Sequence, residues 1–386
     1  MSGICETSGM NSMQKVVGVI GGGQLARMMH PAAIAMGIEL RVFSETENSS
    51  ARSATTKVGD YTNLDELKEF CKGVDALSFD HEHVPVALLA ELEKSGVAVR
   101  PGSQALIHAQ NKLVMRKKLA SLELPMPAWQ EIKSEAELEK FIALHGPEVI
   151  VKTPIGGYDG KGVRVVSEVS QVADWFSQLD SIGGALLAEQ KISFTRELAI
   201  LSARNPSGEF KTWPLVQTTQ ISGVCAEVIA PAPGSPNIEL AIEIARRVSE
   251  GLGVVGVLAV ELFETQSGDL FINELAMRPH NSGHFSIEGS TTSQFEQHLR
   301  AVLDLPLGET ALVAEHAVML NLLGVDDSNT FVERYQHAMT IAPNTKFHSY
   351  EKSARKGRKM GHLTIVGNDL ESMLKEIRSA HQVLTK

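Results

Sequence analysis

The sequence predicts an α/β and α+β protein, in which an N-terminal doubly wound parallel sheet is followed by smaller mixed domains. From Val16 to about residue 102, short apolar strands alternate with helical segments. This alternation is typical of parallel strands joined by crossover helices. From Asn111 onward, glycine-rich loops join strand to strand instead, and we also expect a helix at 170–180, a strand at 257–264 and a final helix near 370–384. With 386 residues, the chain is long enough for two or three hydrophobic cores.

Composition narrows the class of function. A hydrophobic content of 43% and a charged content of 21% are ordinary for a globular protein. The net charge of -10 argues against nucleic acid as the main ligand, because phosphate binding needs a basic surface. No apolar run reaches the roughly 18 residues that a membrane helix needs, and residues 1–14 form a polar leader that we expect to be disordered. Three widely spaced cysteines are typical of reduced thiols, so we expect a cytoplasmic location.

The first glycine loop allows two interpretations. Strands are predicted at 16–20, 38–44, 76–79 and 97–102, with a helix over 25–36. The spacing Gly21-x-Gly23-x-x-Ala26 fits a dinucleotide fingerprint, and Glu45 follows at about the distance of a ribose-binding acid. An NAD(P)-dependent dehydrogenase is therefore one alternative. The other is that the exposed N–H groups at the helix start hold a different anion or polar ligand.

A second glycine loop, "VKTPIGGYDGKGV", indicates a phosphate site. Lys152 closes a strand, and four glycines then lead into the next strand. Glycine lets backbone N–H groups approach an anion, and lysine adds a mobile point charge. The loop lacks the order of a Walker motif and joins two strands. Downstream, Glu189 and Glu197 lie at strand ends, where they could face a nucleotide.

Two acids on neighbouring apolar strands favour magnesium. Glu261 lies in "GVLAVELF", and Glu274 follows Asn273 in "LFINELAMRPH". A charge at the end of an apolar strand is costly unless it is paired or metal-bound. Carboxylate and amide oxygens suit magnesium, with phosphates as further ligands. The basic stretch 350–362, "YEKSARKGRKMGH", is typical of a solvated charge run or of a phosphate pocket.

The phosphate loop, the strand-end lysine, the strand-end acids and "NE" resemble, in this order, the ATP-grasp ligases. More narrowly, "GGGQLARM", "GGYDGKG", "INELAMRPHNSGH" and "RKMGH" together resemble the 5-(carboxyamino)imidazole ribonucleotide synthases of purine biosynthesis. The resemblance implies that bicarbonate, 5-aminoimidazole ribonucleotide and ATP give the N-carboxylated ribonucleotide, ADP and phosphate. It also implies Mg²⁺ and a homodimer. The implied domains are a leader 1–14, an N-terminal α/β domain 15–115, a lid 116–192, a catalytic domain 193–305 and a C-terminal subdomain 306–386.

The resemblance also implies site residues. Those for ATP are Lys112, Lys152, Gly157, Tyr158, Asp159, Gly160, Lys161, Gly162, Val163, Glu189, Gln190, Lys191, Ile192, Glu197, Gln217, Asn273 and Glu274. Those for the ribonucleotide are Gln24, Leu25, Glu82, Tyr158, Asp159, Arg278, His280, Lys352, Arg358 and Lys359. The implied catalytic residues are Asp159, Arg278, His280 and Lys352, and the implied metal ligands are Glu261 and Glu274.

Some positions depart from the family's pattern, and alternatives stay open. Glu351 stands where the family usually has glycine, Gln217 stands where histidine is often found, and the stretch "SFDHEHVP" carries two unexpected histidines beside Glu82. The nearest rival is another ATP-grasp enzyme, such as a formate-dependent phosphoribosyl ligase or a biotin carboxylase-like protein. For the proton of the substrate amine, either Asp159 or His280 could be the acceptor.

Overall fold

The computed structural model describes residues 14–157, 162–221, 223–234, 237–325 and 331–386. Within these residues the strands form a four-stranded parallel sheet, a four-stranded antiparallel sheet and a nine-stranded antiparallel sheet. This mixed architecture confirms the predicted fold class. In the described part of the chain, no helix combines the length and the apolar character that crossing a membrane requires.

The N-terminal sheet has the order β3-β2-β1-β4, and every pair in it is parallel. Its strands are β1 (Val16–Ile20), β2 (Glu39–Ser44), β3 (Thr55–Val58) and β4 (Ala76–Phe79). The helices that accompany or follow it are α1 (Gln24–Ala35), α2 (Leu64–Phe70), α3 (Val86–Lys94), α4 (Ser103–Gln110) and α5 (Lys112–Ser121). Strands β1 and β4 are neighbours and end at the same edge. The first glycine loop therefore lies beside the segment after Phe79.

The smaller antiparallel sheet has the order β5-β8-β6-β7. Its strands are β5 (Trp129–Ile132), β6 (Val149–Lys152), β7 (Val163–Val166) and β8 (Leu186–Gln190). Helices α6 (Glu135–His145) and α7 (Ala173–Phe176) accompany it. In this register Ile150 pairs with Glu189 and Lys152 pairs with Leu187. Because paired residues share a face, Lys152 and Glu189 lie diagonally opposite on one side of the sheet.

The largest sheet runs β14-β13-β9-β11-β12-β15-β17-β16, and β10 pairs with β9. Its strands are β9 (Phe194–Arg204), β10 (Phe210–Thr212), β11 (Val216–Ile221), β12 (Val224–Ala230), β13 (Gly256–Thr265), β14 (Leu270–Ala276), β15 (His316–Leu323), β16 (Lys346–Ser349) and β17 (Lys359–Gly367). The helices in this part are α8 (Ile238–Gly251), α9 (Ser286–Gly289), α10 (Gln294–Val302), α11 (Phe331–Ile341) and α12 (Leu370–Thr385). The pairing of β12 with β15 makes the C-terminal strands a continuation of the same sheet.

A buried histidine ties the N-terminal sheet to the largest sheet. His298 on α10 has no exposed surface. Its Nε2 lies 2.7 Å from the Ser78 hydroxyl on β4, and its Nδ1 accepts from the Val257 N–H on β13 at 3.1 Å. The second bond leaves the proton on Nε2, so the neutral ring donates to Ser78. Burial lowers the pKa of His298 to about 3, which keeps the ring neutral at ordinary pH.

Most predicted elements are confirmed, including β1, β2, β4, β13 and α12. Two predictions are wrong. The strand expected at 97–102 is a single bridge between Val99 and Leu77, because Pro101 cannot donate to a ladder. The helix expected at 170–180 is broken into α7 and flanking 3₁₀ turns at Val169–Val172 and Leu179–Ile182. There, the Ser177 and Ser181 hydroxyls donate to the carbonyls of Asp174 and Gln178 and compete with a continuous helix.

Candidate active site

Lys152 lies at the end of β6 in a buried ion-pair network. Its Nζ is 2.7 Å from Glu189 Oε2 on β8, and Arg116 Nε is 2.5 Å from Glu189 Oε1. Burial alone would raise the pKa of Glu189, but Arg116 and Lys152 outweigh it and lower that pKa to about 2. Both carboxylate oxygens are thus engaged within the chain. The prediction that Glu189 faces a nucleotide gains no support from this arrangement.

Arg116 is a site residue that the sequence analysis missed. Its side chain is fully buried on α5, and it also donates to the carbonyl oxygens of Ile272 at 3.0 Å and Asn273 at 2.8 Å. It therefore joins α5, β8 and β14 at one point. A signal was present, because Leu113, Arg116 and Leu119 recur at the three-residue spacing of one helix face. However, Arg116 stands next to Lys117 and Lys118, and such a run of basic residues is typical of a solvent-exposed surface.

Two lysines converge on the "NE" pair of β14. Lys152 Nζ lies 3.2 Å from Asn273 Oδ1. Lys112 Nζ lies 3.4 Å from Glu274 Oε1 and donates to the Gly157 carbonyl at 3.2 Å. Lys112 thus reaches the second glycine loop at Gly157, the last described residue before 158–161. The positive charge needed for a polyphosphate and the polar strand end lie together, as the phosphate-site hypothesis requires.

Glu261 on β13 and Glu274 on β14 are directly paired in register, with a β-bulge immediately after Glu261. Paired residues share a face, so the two carboxylates point to the same side. Burial, then Glu274 and then Glu197, raise the pKa of Glu261 to about 8. Crowded carboxylates of this kind indicate a place for a cation. The donor set of carboxylate and amide oxygens fits Mg²⁺, which needs only one or two protein carboxylates when phosphates and waters complete its shell.

In the described ranges, no group of three or more His, Cys, Asp or Glu side chains is arranged to hold a metal ion by itself. His280 Nε2 instead lies 3.3 Å from Glu261 Oε1. Its Nδ1 accepts from the Ser282 N–H at 3.4 Å. Burial first, and then Arg278 and Lys359, lower the pKa of His280 to about 3, so the imidazole stays neutral.

A second polar group lies between the N-terminal helix and the C-terminal turn. Lys352 Nζ donates to Gln24 Oε1, although 328 residues separate them in sequence. Glu82 Oε1 accepts from the Met277 N–H at 2.8 Å, and Glu82 Oε2 lies 3.3 Å from Arg278 Nε. The structure therefore brings Gln24, Glu82, Arg278 and Lys352 to the junction of the N-terminal sheet and the large sheet.

Comparison with known proteins decides the family. The chain matches models of a ribonucleotide synthetase preATP-grasp domain over residues 13–110, an ATP-grasp domain over 117–295 and a phosphoribosylaminoimidazole carboxylase C-terminal domain over 317–376. It is 46% identical to the N5-carboxyaminoimidazole ribonucleotide synthase of Corynebacterium ammoniagenes over 382 residues, covering 96% of this chain and 92% of that protein. The corresponding enzyme of Mycobacterium bovis is 46% identical over 364 residues, covering 93% and 85% of the two chains.

A solved structure agrees. The Aspergillus clavatus N5-carboxyaminoimidazole synthase, crystallised with ADP and 5-aminoimidazole ribonucleotide, superposes with a TM-score of 0.86 at 29% identity. The match covers 97% of this chain and 99% of the fungal one. The chain belongs to the N5-carboxyaminoimidazole ribonucleotide synthase family. It is therefore an ATP-dependent ligase of the ATP-grasp fold, and the resemblance seen in the sequence is confirmed.

Membership in this synthase family overturns the dehydrogenase alternative, and the first glycine loop supplies the physical reason. The Ala26 N–H at the start of α1 donates to Asp80 Oδ1 at 2.8 Å, and the Gly22 N–H donates to Glu45 Oε2 at 3.3 Å. Two of the loop's N–H groups are thus occupied by carboxylates of the chain. Glu45 also lies 2.9 Å from His81 Nε2, and that bond is the main cause that lowers the pKa of Glu45 to about 2. The acid that the fingerprint would assign to a ribose is therefore engaged within the chain.

The remaining predicted residues of the synthase site fall into four groups. Leu25 has a buried side chain in the core of α1, which leaves only its backbone for a ligand. Arg358 donates to the Ser353 carbonyl at 3.0 Å, and Lys359, at the start of β17, acts electrostatically on Glu261 and His280. Gln190, Lys191, Ile192, Glu197 and Gln217 lie on or between β8, β9 and β11. Tyr158, Asp159, Gly160 and Lys161 lie outside the described residues.

The ends of the second glycine loop are described, and they are closely packed. The Thr153 N–H donates to the Gly162 carbonyl at 2.9 Å. Gly162 has a φ of +71°, and a Cβ there would meet Thr153 Oγ1 at 2.4 Å. Only glycine fits this position, both in conformation and in space. Val163 follows as the first residue of β7.

Proposed function

We propose that this chain uses the site to carboxylate 5-aminoimidazole ribonucleotide at the expense of ATP, with bicarbonate as the carbon source, in purine biosynthesis. The observation that carries the proposal is the continuity of two polar regions through His280. The lysines and carboxylates around Asn273 form one region, and the group around Lys352 and Gln24 forms the other. His280 lies 3.3 Å from Glu261. It also follows Arg278 by two residues in the sequence, and Arg278 pairs with Glu82.

The first region suits the nucleotide. Lys112 and Lys152 offer positive charge to the phosphates, and the resemblance assigns residues 157–163 to the same ligand. Glu261 and Glu274, with Asn273 beside them, would hold Mg²⁺, which when bound neutralises phosphate charge during phosphoryl transfer. Toward the nucleoside end, Glu197 and Gln217 would contact the sugar and Gln190–Ile192 the base. Glu189 supports Lys152 instead of touching the base.

The second region suits a phosphorylated ribonucleotide. Lys352, Arg358 and Lys359 give it a basic side within an acidic chain. Gln24 and the Leu25 backbone would close it from α1, while Glu82 after β4 and Arg278 after β14 offer an acceptor and a cation. Charged and hydrogen-bonding groups of both signs match a ligand that combines a phosphate, ribose hydroxyls and an amine.

The chemistry needs an activated carbon. Bicarbonate is a poor electrophile because hydroxide leaves badly, whereas its phosphorylated form, carboxyphosphate, releases phosphate. The substrate nitrogen then bonds to the carboxyl carbon, either on carboxyphosphate or on the CO₂ it yields, and the nitrogen loses its proton to a base. With a pKa of about 3, His280 is a weak base. The resemblance offers Asp159 and His280 as the two acceptors of this proton.

An ADP-release assay tests the proposal. The chain is supplied with Mg-ATP and bicarbonate, with and without 5-aminoimidazole ribonucleotide, and in parallel with formate in place of bicarbonate. We expect ADP release to require the ribonucleotide and bicarbonate together. Release that is equally fast with formate would favour another ATP-grasp ligase. Lys152→Ala should reduce turnover at least about a hundredfold, while Lys140→Ala, an exposed lysine on α6, serves as the matched control.

We also propose that the protein is a cytoplasmic homodimer, as the resemblance implies. Sedimentation of the full chain tests the assembly, because a single species of about twice the 41.8 kDa chain mass is expected. A species with the mass of one chain at micromolar concentration would contradict the dimer.

A further inference from the structure

We propose that Glu351 is a positioning residue, which clamps the turn carrying Lys352 onto the N-terminal helix that carries Gln24. The inference rests on the proposed assignment of Lys352 to the ribonucleotide. It concerns how that lysine is held, a question that the contacts of Lys352 itself do not answer.

The clamp consists of two ion pairs from one carboxylate. Glu351 Oε1 lies 2.9 Å from Arg27 Nη2, and Glu351 Oε2 pairs with Arg52 Nη2. Arg27 lies three residues after Gln24 on α1, so the two side chains are neighbours on one helix face. Adjacent residues of the turn, Glu351 and Lys352, therefore contact adjacent positions of the same helix.

The residue before the clamp is fixed on both sides. The Ser50 hydroxyl donates to the Tyr350 carbonyl at 2.6 Å in a buried bond, and Arg27 Nη1 donates to the Ser50 carbonyl at 3.0 Å. On its other side, the Tyr350 hydroxyl lies 2.8 Å from His362 Nδ1. Arg27 thus supports the turn twice, once directly through Glu351 and once through Ser50.

The backbone gives an independent reason for a clamp. Glu351 has a φ of +50°, in the left-handed region that side-chain-bearing residues rarely occupy. In this conformation Cβ crowds the backbone carbonyl that follows it, so it persists only where surrounding contacts hold it. The contacts that hold it are the two arginines. The conformation in turn sends the next side chain, Lys352, toward Gln24.

The exposure of the clamp separates positioning from stability. The side chains of Glu351 and Arg52 are 38% and 50% exposed. Exposed ion pairs contribute little to the free energy of unfolding, because water and salt screen them. A displaced anion contact, in contrast, weakens binding strongly. Loss of the clamp should therefore affect the ribonucleotide more than the fold.

The experiment uses Glu351→Gly, since glycine accepts the positive φ and the fold is retained. We expect the KM for 5-aminoimidazole ribonucleotide to rise about three- to tenfold, the size of a partly exposed ion-pair network. The kcat, the KM for ATP and the unfolding midpoint should stay near their original values. Glu39→Gln is the matched control, because Glu39 is 43% exposed and pairs with Arg41 at 2.7 Å away from the turn.

Two further variants make the result decisive. As a single variant, Arg52→Gln should also raise the KM for the ribonucleotide. It should add nothing in the Glu351→Gly background, because both substitutions break the same ion pair. Lys352→Ala should lower kcat/KM about a hundredfold or more. If Lys352→Ala loses activity while Glu351→Gly keeps the original KM, the clamp is wrong and the proposed function stands. Unchanged kinetics of Lys352→Ala would remove Lys352 from the ribonucleotide site and overturn the clamp with it, whereas absence of ribonucleotide-dependent ADP release by the original chain would overturn the proposed function.

Discussion

Lys152 and Glu189 form a buried ion pair, with Nζ 2.7 Å from Oε2, and Arg116 holds the other oxygen of the same carboxylate. The two partners of the pair are 10% and 3% exposed. The lysine proposed to contact the ATP phosphates is thus fixed at a strand end by a carboxylate that faces away from solvent. In a low-dielectric setting, removing one member leaves the others uncompensated.

Glu189→Gln should therefore lower the free energy of unfolding by about 3–5 kcal/mol, the usual cost of breaking a buried ion pair. Denaturant unfolding measures it. Glu148→Gln is the control, because Glu148 is 50% exposed and pairs with Lys191 at 2.5 Å. That control should cost at most about 1 kcal/mol. Equally small losses in both variants would show that the buried network stabilises the fold no more than an exposed ion pair does.

Gly23→Ala should impair the ribonucleotide and spare ATP. A Cβ at Gly23 would lie 1.9 Å from Asp80 Oδ2, so the Asp80 carboxylate must move away from the start of α1. Gln24 is the first residue of that helix and should move with it. We expect a rise of about tenfold or more in the KM for the ribonucleotide, since small displacements of binding groups are costly. If Asp80 is the cause, Gly23→Ala should add little in an Asp80→Ala background, and additive effects would contradict it.

The free energy of unfolding should decrease as the pH is lowered, because of His298. Its pKa is lowered to about 3 by burial, against an ordinary value near 6.5 in the unfolded chain. The unfolded state therefore binds the proton first, so the contribution is fully present above pH 6.5 and is lost as pH falls toward 3. In that window the slope from one such group is about 1.4 kcal/mol per pH unit. The free energy of unfolding, measured at pH 7.5 and 5, should fall less for His298→Gln than for the original chain, and identical slopes would exclude this residue.

Glu274→Gln tests the magnesium assignment. The substitution keeps the shape of the side chain and removes the charge opposite Glu261. The Mg²⁺ concentration for half-maximal ADP release should rise at least about tenfold, the lower range for loss of a partner at a metal site. Glu250→Gln, an exposed acid on α8, should leave it unchanged. A normal response of Glu274→Gln to limiting Mg²⁺ would remove this carboxylate from the metal site.

The sequence could predict the chemistry of single segments better than their mutual contacts. Apolar strands such as β1 and the glycine loops are local features, and local patterns suffice to find them. The pairing of Glu261 with Glu274 was foreseeable as two acids on apolar strands. Its register, with the bulge after Glu261, depends on the sheet and was not.

Partnerships across the chain could not be predicted. In the sequence, Arg116 and its lysine neighbours look like part of a solvent-exposed basic helix. Only the folded chain shows that β8 and β14 cover Arg116. Glu351 appeared as a departure from a glycine pattern, and its arginine partners lie about 300 residues earlier in the sequence. The alternative that assigned Glu45 to a ribose is excluded by contacts of the same kind, because His81 and the Gly22 N–H bind that carboxylate.

The most direct test of the proposed reaction follows the carbon. The chain is given ATP, Mg²⁺, 5-aminoimidazole ribonucleotide and ¹³C-labelled bicarbonate, and ADP release is measured alongside the ¹³C NMR signal of the N-carboxylated product. We expect one labelled product for each ADP, and no appreciable ADP release when the ribonucleotide is omitted. ADP release at the same rate without the ribonucleotide, or without label entering it, would show that the chain does not carboxylate the ribonucleotide.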